Sequence, residues 1–159
     1  MTIREEVKDL FTVDDSYWLA HCISADFALG AGIAVQFDRR FGTKRELLIR
    51  FPNGLEKLMK SNNVLGECIP TSHNVLNLVT KYRYFDKPTY QSMRVALIMM
   101  NQIIEAYEIK KIAMPTIGCG LDGLNWNNVR KLIENLYKDK DVDFLVCLNP
   151  QIEKEDRLR

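Results

Sequence analysis

Apolar positions along this chain follow two rhythms. Brief apolar runs ended by turn or loop residues read as buried strands: "YWLAHCI" (17–23), "KKIAMPTI" (110–117) and "DFLVCL" (143–148). "HNVLNLVT" predicts another, with Val75, Leu76, Leu78 and Val79 supplying the apolar surface, and "LGECIPT" a weaker one. A spacing of three and four is clearest from Thr89 to Tyr107, where Met93, Ala96, Leu97, Met100, Ile103, Ile104 and Tyr107 recur on one side of a helix. Pro88 and Thr89 give that helix a start signal. A second helix is predicted from about Asn127 to Lys138, with Val129, Leu132, Ile133 and Leu136 on one face. "GIAVQFDRRF" and "TKRELLIRF" are shorter helices parted by Gly42, and the segment 52–63 reads as a loop holding at most one short helix.

Strands that alternate with helices imply an α/β domain with a largely parallel sheet covered on both faces. Ligands in such folds sit beyond the carboxyl ends of the strands. No repeat, linker or low-complexity tract divides the chain. The expected organisation is therefore one domain over 1–150 and a charged tail, "QIEKEDRLR", over 151–159.

Composition narrows the classes. At 159 residues and 47% hydrophobic content, the chain can bury one ordinary core. Its 22 basic and 21 acidic residues leave a net charge of +1, so no general attraction to nucleic acid or to an anionic membrane is built in. The four cysteines, Cys22, Cys68, Cys119 and Cys147, form no C-x-x-C pair, and only His21 and His73 could join them in a zinc site. Neither a metal nor a cofactor is expected. "MTIREEVKDLF" has no apolar leader region, and "VALIMM" is far too short to cross a bilayer. Reduced thiols and the lack of heptads point to a cytoplasmic monomer without membrane partners.

Chemistry concentrates in two loops. "SADFALGAGIAVQF" (24–37) places Gly30 and Gly32 before a helix, where exposed backbone N–H groups favour a phosphate. Val35 stands where a dinucleotide fingerprint needs its third glycine, and no Lys-Ser/Thr pair follows. The second loop, "MPTIGCGLDGLNW" (114–126), frees its backbone at Gly118, Gly120 and Gly123 but carries a carboxylate, Asp122, among them. Two such loops favour a nucleotide diphosphate; spacing alone goes no further.

"LAHCISADFALGAGIAVQFDRRFG", "VTKYRYFDKPTY" and "MPTIGCGLDGLNWNNV", in this order, closely resemble the macrodomain family, and within it the terminal ADP-ribose protein glycohydrolases. The likeness covers roughly residues 7–150. It implies a three-layer α/β/α macrodomain with a mixed, largely parallel sheet of about six strands. It further implies a cleft for ADP-ribose at the strand ends and removal of mono-ADP-ribose from acidic side chains of modified protein. A related group of antitoxins acts on DNA bases, so ADP-ribosylated DNA is a second class of partner. The family's nucleophilic lysine falls on Lys81 and its catalytic aspartate on Asp122. The hydroxyl near the distal ribose falls on Ser24, with His21 nearby in the same block. Gly30, Ala31, Gly32, Ile33 and Ala34 fall on one phosphate loop, and Thr116, Ile117, Gly118, Cys119, Gly120 and Leu121 on the other. Asp9 and Leu10 of "KDLF" fall on the adenine contact, where Lys8 replaces the usual glycine. Leu148 and Asn149 of "CLNP" line the adenine side. Tyr84 and Phe85 depart from the small or polar residues usual at their positions, which bears on what target fits over the cleft.

Such residues suit cleavage at C1″ of the distal ribose, which passes through an oxocarbenium-like state. A lysine amine can attack the anomeric carbon and hold the sugar until water releases it. An ordinary lysine must first lose its proton, which at pH 7 costs roughly 4–5 kcal/mol. Burial lowers that cost, an inward-pointing Arg83 would lower it further, and a carboxylate that takes the proton resolves the rest. Without the resemblance, Lys81 is a solvated strand-end residue and Asp122 a turn-former bonded to its own backbone. Ser24 is then a cap, Trp18 and Trp126 packing residues, and "DRRFGTKR" a solvated face that a nucleic acid could also touch. Cys119 has the setting of a thiolate nucleophile, but the resemblance gives that position to backbone alone. Two other functions stay open: an ADP-ribose reader that does not cleave, and an ADP-ribose 1″-phosphate phosphatase.

Overall fold

The computed structural model describes residues 1–61 and 64–149. The charged tail 151–159, Pro150 of "CLNP" and the asparagine pair 62–63 lie outside them. Strands β1 (Thr2–Val7), β2 (Trp18–Ser24), β3 (Glu67–Thr71), β4 (Val75–Lys81), β5 (Lys111–Met114) and β6 (Asp143–Leu148) form one sheet. Their order is β1-β6-β5-β2-β4-β3, and every neighbouring pair is parallel except β3 with β4. The sheet is thus mixed and largely parallel. β5 stops before the predicted end of its apolar run, because Pro115 has no N–H to continue the ladder.

Five α-helices among the described residues cover the sheet: α1 (Ile33–Phe41), α2 (Thr43–Arg50), α3 (Gly54–Lys60), α4 (Tyr90–Ala106) and α5 (Trp126–Tyr137). On one face, Met93, Leu97 and Met100 of α4 and Val129 and Ile133 of α5 pack on Leu76, Leu78, Ile112 and Val146. Each large apolar side chain so buried contributes about 1.5–3 kcal/mol. On the other face, Ala34 of α1 and Leu47 of α2 pack with Ile23 and Val79, and Phe37 of α1 packs with Leu19, Val75 and Leu145. The periodic stretch after Thr89 starts on a capping box, with Thr89 and Ser92 each bonding the other's backbone N–H. Among the described residues, no helix is long and apolar enough to cross a membrane.

The apolar pattern does not announce β1. "TIREEV" has a single partly buried position, Ile3, and its other residues are exposed. It pairs with β6 alone and is tied down from the side. The indole Nε1 of Trp126 donates to Glu5 at 3.1 Å, and Arg130 pairs with the same carboxylate. Edge strands need no buried face of their own, so hydrophobic periodicity misses them.

Candidate active site

β6, β5, β2 and β4 end on one rim of the sheet, and a cleft of about 640 Å³ lies there. That volume is ordinary for a small-molecule site. Leu10, Cys147 and Asn149 line its end nearest β1 and β6, and Lys81, Tyr84 and Phe85 its end at β4. Between them run residues 30–34 and 116–121, from loops that enter α1 on one face of the sheet and α5 on the other. Glycine serves the geometry at Gly32, the residue before α1, with φ 60° and ψ −148°. The mouth of α1 therefore opens into the cleft with its backbone N–H groups uncovered by side chains, a setting that suits an anion.

Lys81 and Ser24 are the last residues of adjacent strands. Their register slips at this point: Ile23 pairs with Val79 but Ser24 with Lys81, a bulge of the sort that re-aims side chains beside active sites. Lys81 Nζ donates to Asp122 Oδ1 at 2.7 Å, and the two side chains are only 15% and 17% exposed. Sequence separation gives no hint that residues 41 apart would meet; the fold brings them together. A charge-assisted bond of this length fixes both groups at the β4 end of the cleft.

Two braces around this pair were not singled out as functional from the sequence. Asp26 accepts from Ser24 Oγ at 2.5 Å, from Ala28 N at 3.1 Å and from Tyr84 N at 2.9 Å. Its signal was present in "SADFA", where an aspartate two residues before a loop position commonly bonds the backbone ahead of it. The second brace is the "KPTY" run. Lys87 Nζ donates to the Leu121 carbonyl, and Tyr90 Oη accepts from Asn125 N at 3.0 Å. Both ends of the Asp122 segment are thereby tied to the start of α4.

Three of the residues expected to contact ligand are not among those that line the cleft. His21 is fully buried in the sheet, its Nε2 2.6 Å from Asn77 Oδ1 and its ring stacked on Phe37 at 3.8 Å. Asn77 uses its own N–H groups on Ile69 O and Thr71 Oγ1, so His21 Nε2 is the donor. Burial pushes the His21 pKa down to about 4, which keeps the ring neutral. The side chain thus faces the α1 layer, one residue out of phase with Cys22, which does line the cleft. Asp9 accepts from Phe11 N at 3.0 Å through Oδ1 and caps a short 3-10 turn, and its neighbour Leu10 lines the site. Leu148 packs against the core beneath the rim, while Asn149 lines it. Arg83 does not line the cleft either.

Cys119 is the alternative nucleophile, and its setting opposes that role. Burial and then the Asp122 carboxylate push its pKa up to about 12, and its thiol donates to the Ile117 carbonyl at 3.2 Å. It is held as a neutral thiol. Trp18 packs at the edge of the core against Tyr107, and Trp126 anchors β1 as described. Arg39 and Arg40 of the basic run are exposed, with the Arg40 guanidinium 4.3 Å from the Phe11 ring.

No protein-family model matches the chain. Over 141 residues it is 35% identical to the human ADP-ribose glycohydrolase OARD1, and the match covers 87% of this chain and 86% of that protein. It is 25% identical over 142 residues to the DNA ADP-ribosyl glycohydrolase of Mycobacterium tuberculosis, across 83% of this chain and 38% of that longer protein. Among solved structures, the macrodomain of Thermus aquaticus DarG matches with a TM-score of 0.74, over 92% of this chain and 97% of that one, at 18% identity. At that identity the structural likeness speaks for the fold.

Proposed function

The chain belongs to the macrodomain family of ADP-ribose glycohydrolases, and on that premise we propose that it releases mono-ADP-ribose from an acceptor joined at C1″, with Lys81 as nucleophile and Asp122 as acid and base. The observation that carries this reading is the 2.7 Å bond between the two groups at one end of a cleft suited to a diphosphate. Adenine lies toward Leu10 and Asn149, the diphosphate between residues 30–34 and 116–121, and the distal ribose against Lys81. Ser24 donates its proton to Asp26, so its oxygen is left to accept from a ribose hydroxyl.

The hydrogen bond gives the lysine proton a path to Asp122 Oδ1, leaving a neutral amine and a carboxylic acid. The amine lone pair forms the N–C1″ bond while the C1″–oxygen bond to the acceptor breaks, its electron pair going to the acceptor, and Asp122 gives up its proton, to the acceptor or, where a carboxylate leaves, to solvent. Water then attacks C1″, giving its proton to the Asp122 carboxylate, and the N–C1″ pair returns to Lys81. Esters of acidic side chains are the first acceptors this supports, since a carboxylate leaves readily; O-acetyl-ADP-ribose and modified DNA bases present the same ribose. A module that only reads ADP-ribose has no use for such a pair, and a phosphatase has no use for an amine aimed at C1″.

Lys81→Ala is expected to slow release of ADP-ribose from a glutamate-linked conjugate by about a thousandfold or more. Calorimetry should find its affinity for free ADP-ribose within a few-fold of wild type. Turnover that survives the substitution would overturn the mechanism.

A further inference from the structure

Asp26 does not line the cleft, yet the three residues whose donors meet its carboxylate, Ser24, Ala28 and Tyr84, all do. Its Oδ1 accepts from Ser24 Oγ at 2.5 Å and from Ala28 N at 3.1 Å, and its Oδ2 from Tyr84 N at 2.9 Å. The main chain is tied across the same gap. Ala25 N donates to the Lys81 carbonyl at 2.9 Å, and Asp26 N to the Tyr82 carbonyl at 3.1 Å. The pairing of β2 with β4 thus runs on past its register slip, and the Asp26 side chain closes it from behind the cleft wall. On the near side of that wall stand Ser24 from one strand and Lys81 from the other.

A turn by itself does not call for this residue. Asparagine bonds a backbone N–H two residues on as aspartate does. No lysine or arginine pairs with Asp26 among the described residues. Near a site suited to a diphosphate, a further negative charge also counts against the ligand. What a carboxylate alone supplies is two accepting oxygens with no hydrogen of its own. An amide there has one oxygen: set on Ser24 and Ala28, it turns its NH2 toward Tyr84 N, and set on Tyr84 N, it turns its NH2 toward the other two. Ser24 feels the difference most. Facing an acceptor-only group at 2.5 Å, its hydroxyl commits its one hydrogen there and keeps lone pairs for the cleft. At 4% exposure it has little water to turn to instead.

We propose that Asp26 is a positioning residue for the distal ribose: it fixes Ser24 Oγ as the acceptor of a ribose hydroxyl, and so sets the sugar before Lys81, acting on the ligand through Ser24. That role rests on the ADP-ribose ligand proposed above but not on turnover, so binding tests it. Calorimetry is run with ADP-ribose and with ADP, which shares the adenosine and the diphosphate and lacks the distal sugar. Ser24→Ala should lower the ratio of the two affinities about five- to tenfold, the scale of one hydrogen bond. Asp26→Ala leaves the hydroxyl to be re-aimed by the sugar and should lower the ratio about three- to fivefold. The double variant should match Ser24→Ala alone, because both changes remove one interaction. A residue that only holds the loop would weaken both ligands alike and leave the ratio unchanged, or would add its loss to that of Ser24→Ala; either result overturns the proposal. Should Asp26→Ala not fold, Asp26→Asn is put through the same cycle. One placement of its amide makes Ser24 the acceptor of that NH2, so the ratio should fall about threefold, and not at all once Ser24 is alanine. An unchanged ratio, or an equal fall without the hydroxyl, overturns the proposal here too. Wild type that binds neither ligand would sink the ADP-ribose reading itself, and the role of Asp26 with it.

Discussion

The two loops flanking the cleft reach their shapes by opposite means. The loop after β2 enters the left-handed region at Phe27 (φ 54°) and Leu29 (φ 43°), neither of them glycine. Each such residue costs on the order of 1–3 kcal/mol. Both side chains are buried with Ile23, Leu47 and Val79, and that burial offsets the strain, while Asp26 ties the main chain from within. The loop after β5 uses glycine for the same conformation, at Gly118 (φ 74°) and Gly123 (φ 80°), and Ile117 is its one fully buried side chain. It is held from outside, by Lys87 and Tyr90 at the start of α4. The first loop is an extension of the core that offers backbone; the second is a lighter arm that delivers a side chain, Asp122, to Lys81.

Acid should separate the two halves most strongly. His21 lies on β2 below the first loop, stacked on Phe37 of the helix that this loop opens. Its folded pKa of about 4 lies below the ordinary 6.5, so between these values the unfolded chain binds the extra proton. Stability from the neutral ring is full above about pH 6.5 and is lost as pH falls through 4, an amount of about 3 kcal/mol. Denaturant titrations from pH 7.5 to 4 should show this loss. His21→Gln, which keeps an N–H donor for Asn77 and removes the titration, should flatten the dependence. Hydrogen exchange at pH 5 should rise in β2 and α1 before it rises in α5; a rise that begins in α5 would break the contrast.

Much of this division was legible in the residues. The buried strands, α4 and the two glycine loops follow from apolar runs, the three-and-four spacing and glycine placement, because each is a local consequence of burial or backbone freedom. The family resemblance marked Lys81 and Asp122, but their contact depends on β4 and β5 lying on either side of β2, which no local pattern encodes. β1 was hidden because an edge strand of "TIREEV" buries almost nothing. His21 was assigned to the ligand from its place in a matching block, and strand alternation turns its side chain to the opposite face from Cys22. Asp26 and the "KPTY" run act through backbone groups of distant segments, so their residue types show capacity for bonding without showing the partner.

A substitution in the lighter arm should cost somewhat less than the acid transition. Gly118→Ala puts a side chain at φ 74° and a Cβ 2.6 Å from Met93 Cε, with Leu124 Cδ1 at 3.1 Å. The left-handed backbone costs about 1–2 kcal/mol, and the methionine end can shift, so a total near 2 kcal/mol is expected. Thermal unfolding should fall by roughly 4–8 °C. Turnover should drop with it, because the same loop carries Asp122. A variant that loses stability while keeping wild-type kcat would show that Asp122 is held independently of the loop's glycine geometry.

Tyr90→Phe is the mildest test and the most selective. It removes the oxygen that accepts from Asn125 N at 3.0 Å and from Asn128 Nδ2 at 3.2 Å, and nothing else in the aromatic contact. Tyr90 is partly exposed, so water replaces some of what is lost, and the change in stability should be about 0.5–1.5 kcal/mol. Its effect on the site should be lopsided. Lys87 still holds Leu121 on one side of Asp122, but the other side, where the loop enters α5, is released. Exchange should quicken at residues 118–125 and stay unchanged at residues 25–32, and kcat should fall about three- to tenfold, the rate equivalent of that loss, with KM kept. Equal quickening in both loops would mean that they share one support, and the contrast between a loop braced by its own buried side chains and one braced by α4 would not survive.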